Sequence, residues 1–148
     1  MKKITIILTA AVMLIAGSAF ATEGDNVTAK VKAGFSKDFT TAAQVTWEKT
    51  SDFYFANFLL NGKNASAAYN EAGELVGTSQ TIGIADLPLD VTLAISEKYG
   101  NYTVSPAVTE LNYDGKTNYY VTVANDQQTL QLKCDNTGDI AVDKKTKK

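Results

Sequence analysis

The stretch YNEAGEL, Tyr69–Leu75, has an echo 65 positions later in CDNTGDI, Cys134–Ile140. Both read as the end of a strand, then Asn70 or Asp135, two turn residues, Gly, an acid and an aliphatic. Asn or Asp with Gly three residues on predicts a type I turn whose Gly takes the left-handed position. The same offset runs backwards without a gap. Tyr54, Ala56 and Phe58 meet Tyr119, Val121 and Val123, while Ala65, Ala67 and Tyr69 meet Leu130, Leu132 and Cys134. A long period written only twice predicts a duplicated small α/β unit rather than a solenoid.

Each copy opens with a helical pattern. Val27, Val31 and Phe35 recur every four residues behind Asp25 and Asn26 as caps. Leu87, Val91, Ile95 and Tyr99 do the same behind Asp86, with Pro88 in the first turn and Gly100 to close it. Val31 and Ile95 lie 64 apart, which sets the two helices in register with the strands. Alternating strands follow: AAQVTWE, then FYFANFLL and SAAY about the hairpin dipeptide Asn61-Gly62, and TELNY, NYYVTV and TLQLKC in the second copy. Val76–Ile84, VGTSQTIGI, reads as a linker. The expected fold class is α+β, with two tandem helix-plus-antiparallel-sheet repeats and the helices packed on one face. Repeat one covers about 25–82 and repeat two about 84–143. The Lys-rich segment 144–148 is a disordered, solubilising tail.

The first residues bound the setting. Lys2 and Lys3, an apolar run from Ile4 to Ala16 and the close Ala19-Phe20-Ala21 have the order of a secretory signal peptide over residues 1–21, cleaved after Ala21. The apolar run falls short of the roughly 20 residues that span a bilayer, so stable membrane insertion after cleavage is not expected. The protein is expected in the periplasm or secreted. Residues 22–148 suit one compact unit or two very small ones, with the domain expected over 22–143, and in them 12 Lys face 16 acids, a net charge of −4. There is no Arg and no His, which excludes a nucleic-acid footprint, the usual general base and the commonest zinc ligand. Cys134, the single cysteine, alternates with Leu130 and Leu132 and reads as a buried small hydrophobe.

Parity divides the strands into two faces. Tyr54, Ala56, Phe58, Tyr119, Val121 and Val123 are the expected core set. The opposite parity is mostly polar, with Asn57, Ser66, Asn70, Thr122, Gln131 and Lys133, yet it also carries Phe53, Phe55, Leu59 and Tyr120. Adjacent aromatics on a water-facing sheet surface are the pattern of a contact site. The candidate binding residues are therefore Phe53, Phe55 and Tyr120, with Gln131 and Lys133 beside them.

VTWEKTSDFYFANF, AAYNEAGEL, IGIADLPLDVTLAI and NYYVTV…LKCDNTGDI together resemble the PepSY-like, also called β-lactamase-inhibitor-like, proteins of bacterial cell envelopes. The likeness spans nearly all of the chain after the leader. It rests on Val45-x-Trp47, Tyr54-x-Ala56-x-Phe58, the Tyr69–Gly73 turn and Leu87-Pro88. In the second copy Leu111 and Tyr113 stand where the first has Val-x-Trp. The resemblance implies an exported protein of tandem helix-and-sheet shape, a class associated with binding or inhibiting partner proteins through a sheet.

Catalytic patterns are missing. No G-x-S-x-G, phosphate-binding Gly loop, C-x-x-C or H-E-x-x-H is present, and the carboxylates lie mostly in turns and at helix ends. Asp135–Asp139 lacks the alternating oxygen ligands of a calcium loop. The expectation is a non-enzymatic module, with no cofactor and no metal, that binds an envelope or secreted protein or peptide, inhibition being one form of that role. The alternative is a small-molecule-binding periplasmic protein, which requires a sizeable pocket lined by Tyr and Phe.

Overall fold

The computed structural model describes residues 26–148; the expected leader and the Asp25 cap lie outside the described residues. Helix α1, Ala29–Asp38, is capped by Thr28, whose Oγ1 accepts the Val31 N–H at 3.3 Å. It buries Val31 and Phe35, one turn apart. Four strands follow: β1 (Ala43–Lys49), β2 (Tyr54–Leu60), β3 (Lys63–Tyr69) and β4 (Leu75–Gly83). A 3-10 turn at Ile84–Asp86 leads into α2, Leu89–Tyr99, which buries Val91 and Ile95. The last four strands are β5 (Thr103–Tyr113), β6 (Lys116–Ala124), β7 (Gln128–Asp135) and β8 (Ile140–Lys147). Asp86 is not the cap of α2. Its carboxylate accepts the Gly83 N–H, and Pro88 occupies the cap position without a side-chain bond.

All eight strands form one antiparallel sheet in the order of the chain, β1 to β8. This corrects the expected fold class. The mixture of helix and sheet stands, but the described residues form one continuous eight-stranded sheet with two helices, not two tandem helix-plus-sheet repeats. The ladder between β4 and β5 makes it continuous, running from Gly77↔Tyr113 to Gly83↔Ala107. That ladder uses most of the segment read as a linker. Direct cross-strand partners share a face, so the register places both helices on the same side of the sheet. Tyr54, Ala56 and Phe58 lie under α1, and Val108, Tyr119, Val121 and Val123 lie under α2.

The repeated Gly turn has a contact to make. Gly73 and Gly138 both have positive φ, 79° and 87°. A Cβ on Gly73 would meet the Lys30 carbonyl oxygen at 2.6 Å, and one on Gly138 would meet that of Asp90 at 2.7 Å. Lys30 and Asp90 are each the second residue of their helix. The turn backbone therefore lies against the first turn of the helix, where only a residue without Cβ fits both the space and the dihedral. Val31 thus corresponds to Val91 and Phe35 to Ile95, an offset of 60. Matching Val31 with Ile95 placed the helices one turn out of phase.

The helix side holds two hydrophobic clusters, one under each helix. Between them is a polar seam. Gln80 Nε2 donates to Glu110 Oε1 at 3.0 Å, Asn112 Nδ2 donates to the same oxygen at 3.2 Å, and Thr117 Oγ1 donates to Asn112 Oδ1 at 2.6 Å. At the far edge, Lys144, Lys145 and Lys147, expected in a disordered tail, pair with Gln131, Leu130 and Gln128. An edge strand needs only one partner, and the Lys side chains stay in water on either face.

Candidate functional site

The face opposite the helices is the candidate surface. Its rows follow from the register: Phe55–Ala68–Gly77–Tyr113, Asn57–Ser66–Ser79–Leu111–Asn118 and Thr109–Tyr120–Lys133–Ala141. A fourth, shorter row is Thr122–Gln131–Lys144. The helices and their flanking residues Phe39, Ala42, Ile84, Tyr99 and Tyr102 pack on the other side. Among the described residues, no helix covers this face.

The five candidate residues do not form one cluster. Phe53 precedes β2 and is half-buried, its ring 6.5 Å from that of Phe55. Tyr120, Gln131 and Lys133 lie on β6 and β7, with Tyr120 directly beside Lys133. Four strand spacings of about 4.8 Å separate β2 from β6, roughly 19 Å along the sheet. Exposure also differs from expectation. Phe55 and Tyr120 are buried, at 5% and 6%, Gln131 is half-buried and Lys133 is exposed. Parity gives a residue's face but not its exposure: Phe55 stands between Glu48 and Ala68, and Tyr120 between Thr109 and Lys133. The accessible chemistry of the site is therefore Lys133, Gln131 and the half-buried Thr109 and Thr122 around the Tyr120 ring.

Titration follows the same picture. Burial raises the Tyr120 phenol above its ordinary range, and the Asp143 carboxylate adds to the effect. The ring is thus a neutral, rigid floor at ordinary pH. Cys134 is fully buried, and burial pushes its thiol up to about 11, with Asp135 adding to the rise and Lys98 opposing it. A thiol in that state is a poor nucleophile. Among the described residues, no group of three or more Cys, Asp or Glu side chains is placed to hold a metal ion.

Sequence reading missed the buried polar row. Ser66 and Ser79 are buried, and the Ser66 hydroxyl donates to Asn57 Oδ1. It also missed the seam on the helix side. There, Phe39, Phe58, Leu60 and Ala65 on one wall meet Thr78, Gln80 and Asn112 on the other, around a cavity of about 120 Å³. The signal was present: Thr78, Gln80, Glu110 and Asn112 hold the helix-side parity, where a covered sheet would carry Ala or Val.

No protein-family model matches the chain. No curated protein matches it either. Solved structures do. A DUF2874 family protein from Bacteroides uniformis is similar at 24% identity, with a TM-score of 0.68 over 81% of this chain and 88% of its own. A BLIP-like protein from Bacteroides fragilis is 19% identical, with a TM-score of 0.67 over 88% of this chain and 89% of its own. A third, from Bacteroides eggerthii, whose name proposes a periplasmic location, is 19% identical, with a TM-score of 0.70 over 82% of this chain and 88% of its own. At these identities the likeness is one of fold, and the fold is BLIP-like.

Proposed function

We propose that the chain is an exported, non-enzymatic module of the cell envelope that binds a protein or peptide on the sheet face opposite the helices. The observation that carries this reading is a sheet face that no helix among the described residues covers. An eight-stranded sheet has two faces to satisfy, and both described helices lie on one of them. The other presents a neutral aromatic floor at Tyr120 with Lys133 and Gln131 at its rim, which is the composition of a recognition surface. Similarity to a BLIP-like protein and to one placed by name in the periplasm supports the exported setting. So does the leader-like sequence over residues 1–21. No helix among the described residues is long and apolar enough to cross a membrane. The PepSY-like assignment belongs to the same proposal.

The small-molecule alternative needs a pocket of about 300 Å³ or more that encloses its ligand. The aromatic-lined cavity is smaller, at about 120 Å³. Among the described residues, two larger depressions, of about 320 and 380 Å³, lie among turn and strand-end residues such as Gly115, Lys116, Gly62 and Lys63 and offer no aromatic wall beyond Tyr113.

Capture from envelope extract tests the binding reading. The bait is run beside a Lys133→Glu/Gln131→Ala variant shown by its melting curve to be folded. A protein retained by the unmutated chain and lost by the variant is the expected result. A partner held equally by both, or none held by either, overturns the assignment of this face.

A further inference from the structure

The eighth strand is a sheet edge of unusual charge. Among residues 22–148, Lys144, Lys145, Lys147 and Lys148 supply four of the 12 cations, and without them the net charge would be −8. The structure places this charge along a ladder. After an irregularity at Gln131/Leu132, the pairs Gln131↔Lys144, Leu130↔Lys145, Thr129↔Thr146 and Gln128↔Lys147 run without interruption. The Lys148 N–H continues the ladder to the Gln127 carbonyl at 3.0 Å. Antiparallel strands point alternate residues' backbone groups toward and away from the partner. The backbone of Lys148 points inward, so the backbone groups of Thr146 and Lys144 also face β7. Lys145 and Lys147 then direct their N–H and C=O groups away from β7, to the side on which no strand among the described residues pairs.

We propose that this edge of β8 is a docking site for an extended acidic peptide segment, added as a ninth antiparallel or parallel strand. Backbone groups at Lys145 and Lys147 form the new ladder, and the lysines select its charge. Lysines on an edge commonly act to prevent strand addition. That protection is selective. A second copy of β8 would bring its three lysines against three, and a neutral apolar strand would have to pair beside a row of cations without offering them an opposite charge. An acidic strand meets neither cost, so the same side chains that exclude self-association admit it. The opposite edge differs. On β1 the register slips between Ala43 and Thr46, Gln44 takes a φ of 52°, and Glu48 and Lys49 carry opposite charges. It offers an incoming strand neither a straight ladder nor one sign of charge. The acidic-strand site adjoins the Tyr120–Lys133 surface, since Gln131 pairs with Lys144, but it uses the outward backbone of Lys145 and Lys147 and does not depend on that surface binding a partner.

The test uses a labelled, end-capped peptide alternating Glu with Thr, a control with Gln in place of Glu, and vesicles of anionic phospholipid. Fluorescence anisotropy measures peptide binding, and amide hydrogen exchange reports on β8. The comparison that isolates strand addition is Lys145→Pro against Lys145→Gln. Both lose the same charge, but only proline removes the outward N–H, and at an edge position facing away from β7 it breaks no ladder bond. The expected result is binding of the Glu peptide alone, slowed exchange at Lys145 and Lys147, and an affinity at least about tenfold weaker for the proline variant than for the glutamine variant. Lys147→Pro against Lys147→Gln repeats the comparison should Lys145→Pro lower the melting temperature. Equal binding of the two peptides, equal loss in the proline and glutamine variants, unchanged exchange on β8, or binding to the vesicles alone would each overturn the proposal.

Discussion

The cluster under α1 is aromatic and the cluster under α2 is aliphatic. Under α1, the Phe35 ring sits 5.0 Å from that of Phe58 and 5.2 Å from that of Trp47, both edge-on, with Phe39 and Tyr69 alongside. Under α2 the corresponding volume is filled mainly by Val91, Ile95, Val108, Val121, Val123, Leu130 and Leu132, with Tyr119 as its buried ring, while Tyr99 and Tyr102 pack against each other at the margin. Tyr69, at the end of β3, donates its hydroxyl to Asp38 at 2.9 Å; Cys134 stands at the same place on β7, without a hydroxyl to give. What the two regions share is the approach of a Gly turn to the start of a helix. The backbone contact is held in common while the side chains beneath are exchanged, so the geometry of helix on sheet is carried by the main chain.

Substitutions can break that comparison at its two levels. Phe35→Ala removes the ring at the centre of the aromatic cluster and should cost about 3–5 kcal/mol, whereas Ile95→Ala, its aliphatic counterpart, should cost about 2–5 kcal/mol. Denaturant midpoints would show Phe35→Ala as the larger loss. The opposite order would mean that the aromatic cluster relaxes into its own cavity. Gly73→Ala and Gly138→Ala should each cost about 2–3 kcal/mol, from the left-handed dihedral and the close carbonyl together. Nearly equal losses in the two are expected despite the different cores. A large difference would show that side chains, not the turn, set the helix position.

The smallest effect is the most specific. Tyr69→Phe leaves Asp38 without its donor and should cost about 1 kcal/mol. It should also change the alkaline limb of a stability profile. Burial first, then Asp38, raises the folded-state pKa of Tyr69, and burial raises those of Tyr119 and Tyr120. The unfolded phenols release their protons first, near pH 10, so stability falls as pH rises past that value. The Tyr69→Phe melting temperature should fall less steeply there than that of the unmutated chain. An identical slope would remove Tyr69 from the account. The acid limb should be shallow by comparison. The hydroxyl of Thr137 and the N–H groups of Asp139, Thr137 and Gly138 lower the pKa of exposed Asp135, whose contribution fades as pH falls below about 4.

The Gly turns, both helices, the parity of the core strands and the burial of Cys134 could be read from residue pattern. Continuity of the sheet could not, because β4 lies partly over the polar seam. Thr78 and Gln80 take the parity that Ala65 and Ala67 hold in the neighbouring strand, so the segment shows no alternation and resembles a linker. The charge of β8 hid a strand in the same way. Phe55 and Tyr120 failed differently: their face was legible, but exposure depends on flanking strands that a linear pattern does not bring together. Of the five candidate residues, Lys133 alone is exposed, and it stands beside the buried Tyr120.

Strand order follows chain order, and this has a consequence for how the chain reaches its structure. Six of the seven ladders close through connections of a few residues, as at Asn61-Gly62 and Asp114-Gly115, where both residues of each turn have positive φ. Such hairpins have low contact order and form early. The β4–β5 ladder alone must wait for a loop that contains the whole of α2, from Gly83 to Thr103. Loop closure makes that the slowest pairing to win. It is also the step at which two separately collapsing ends of the chain become a single cooperative sheet, so folding rate should respond most to changes along Gly77–Gly83.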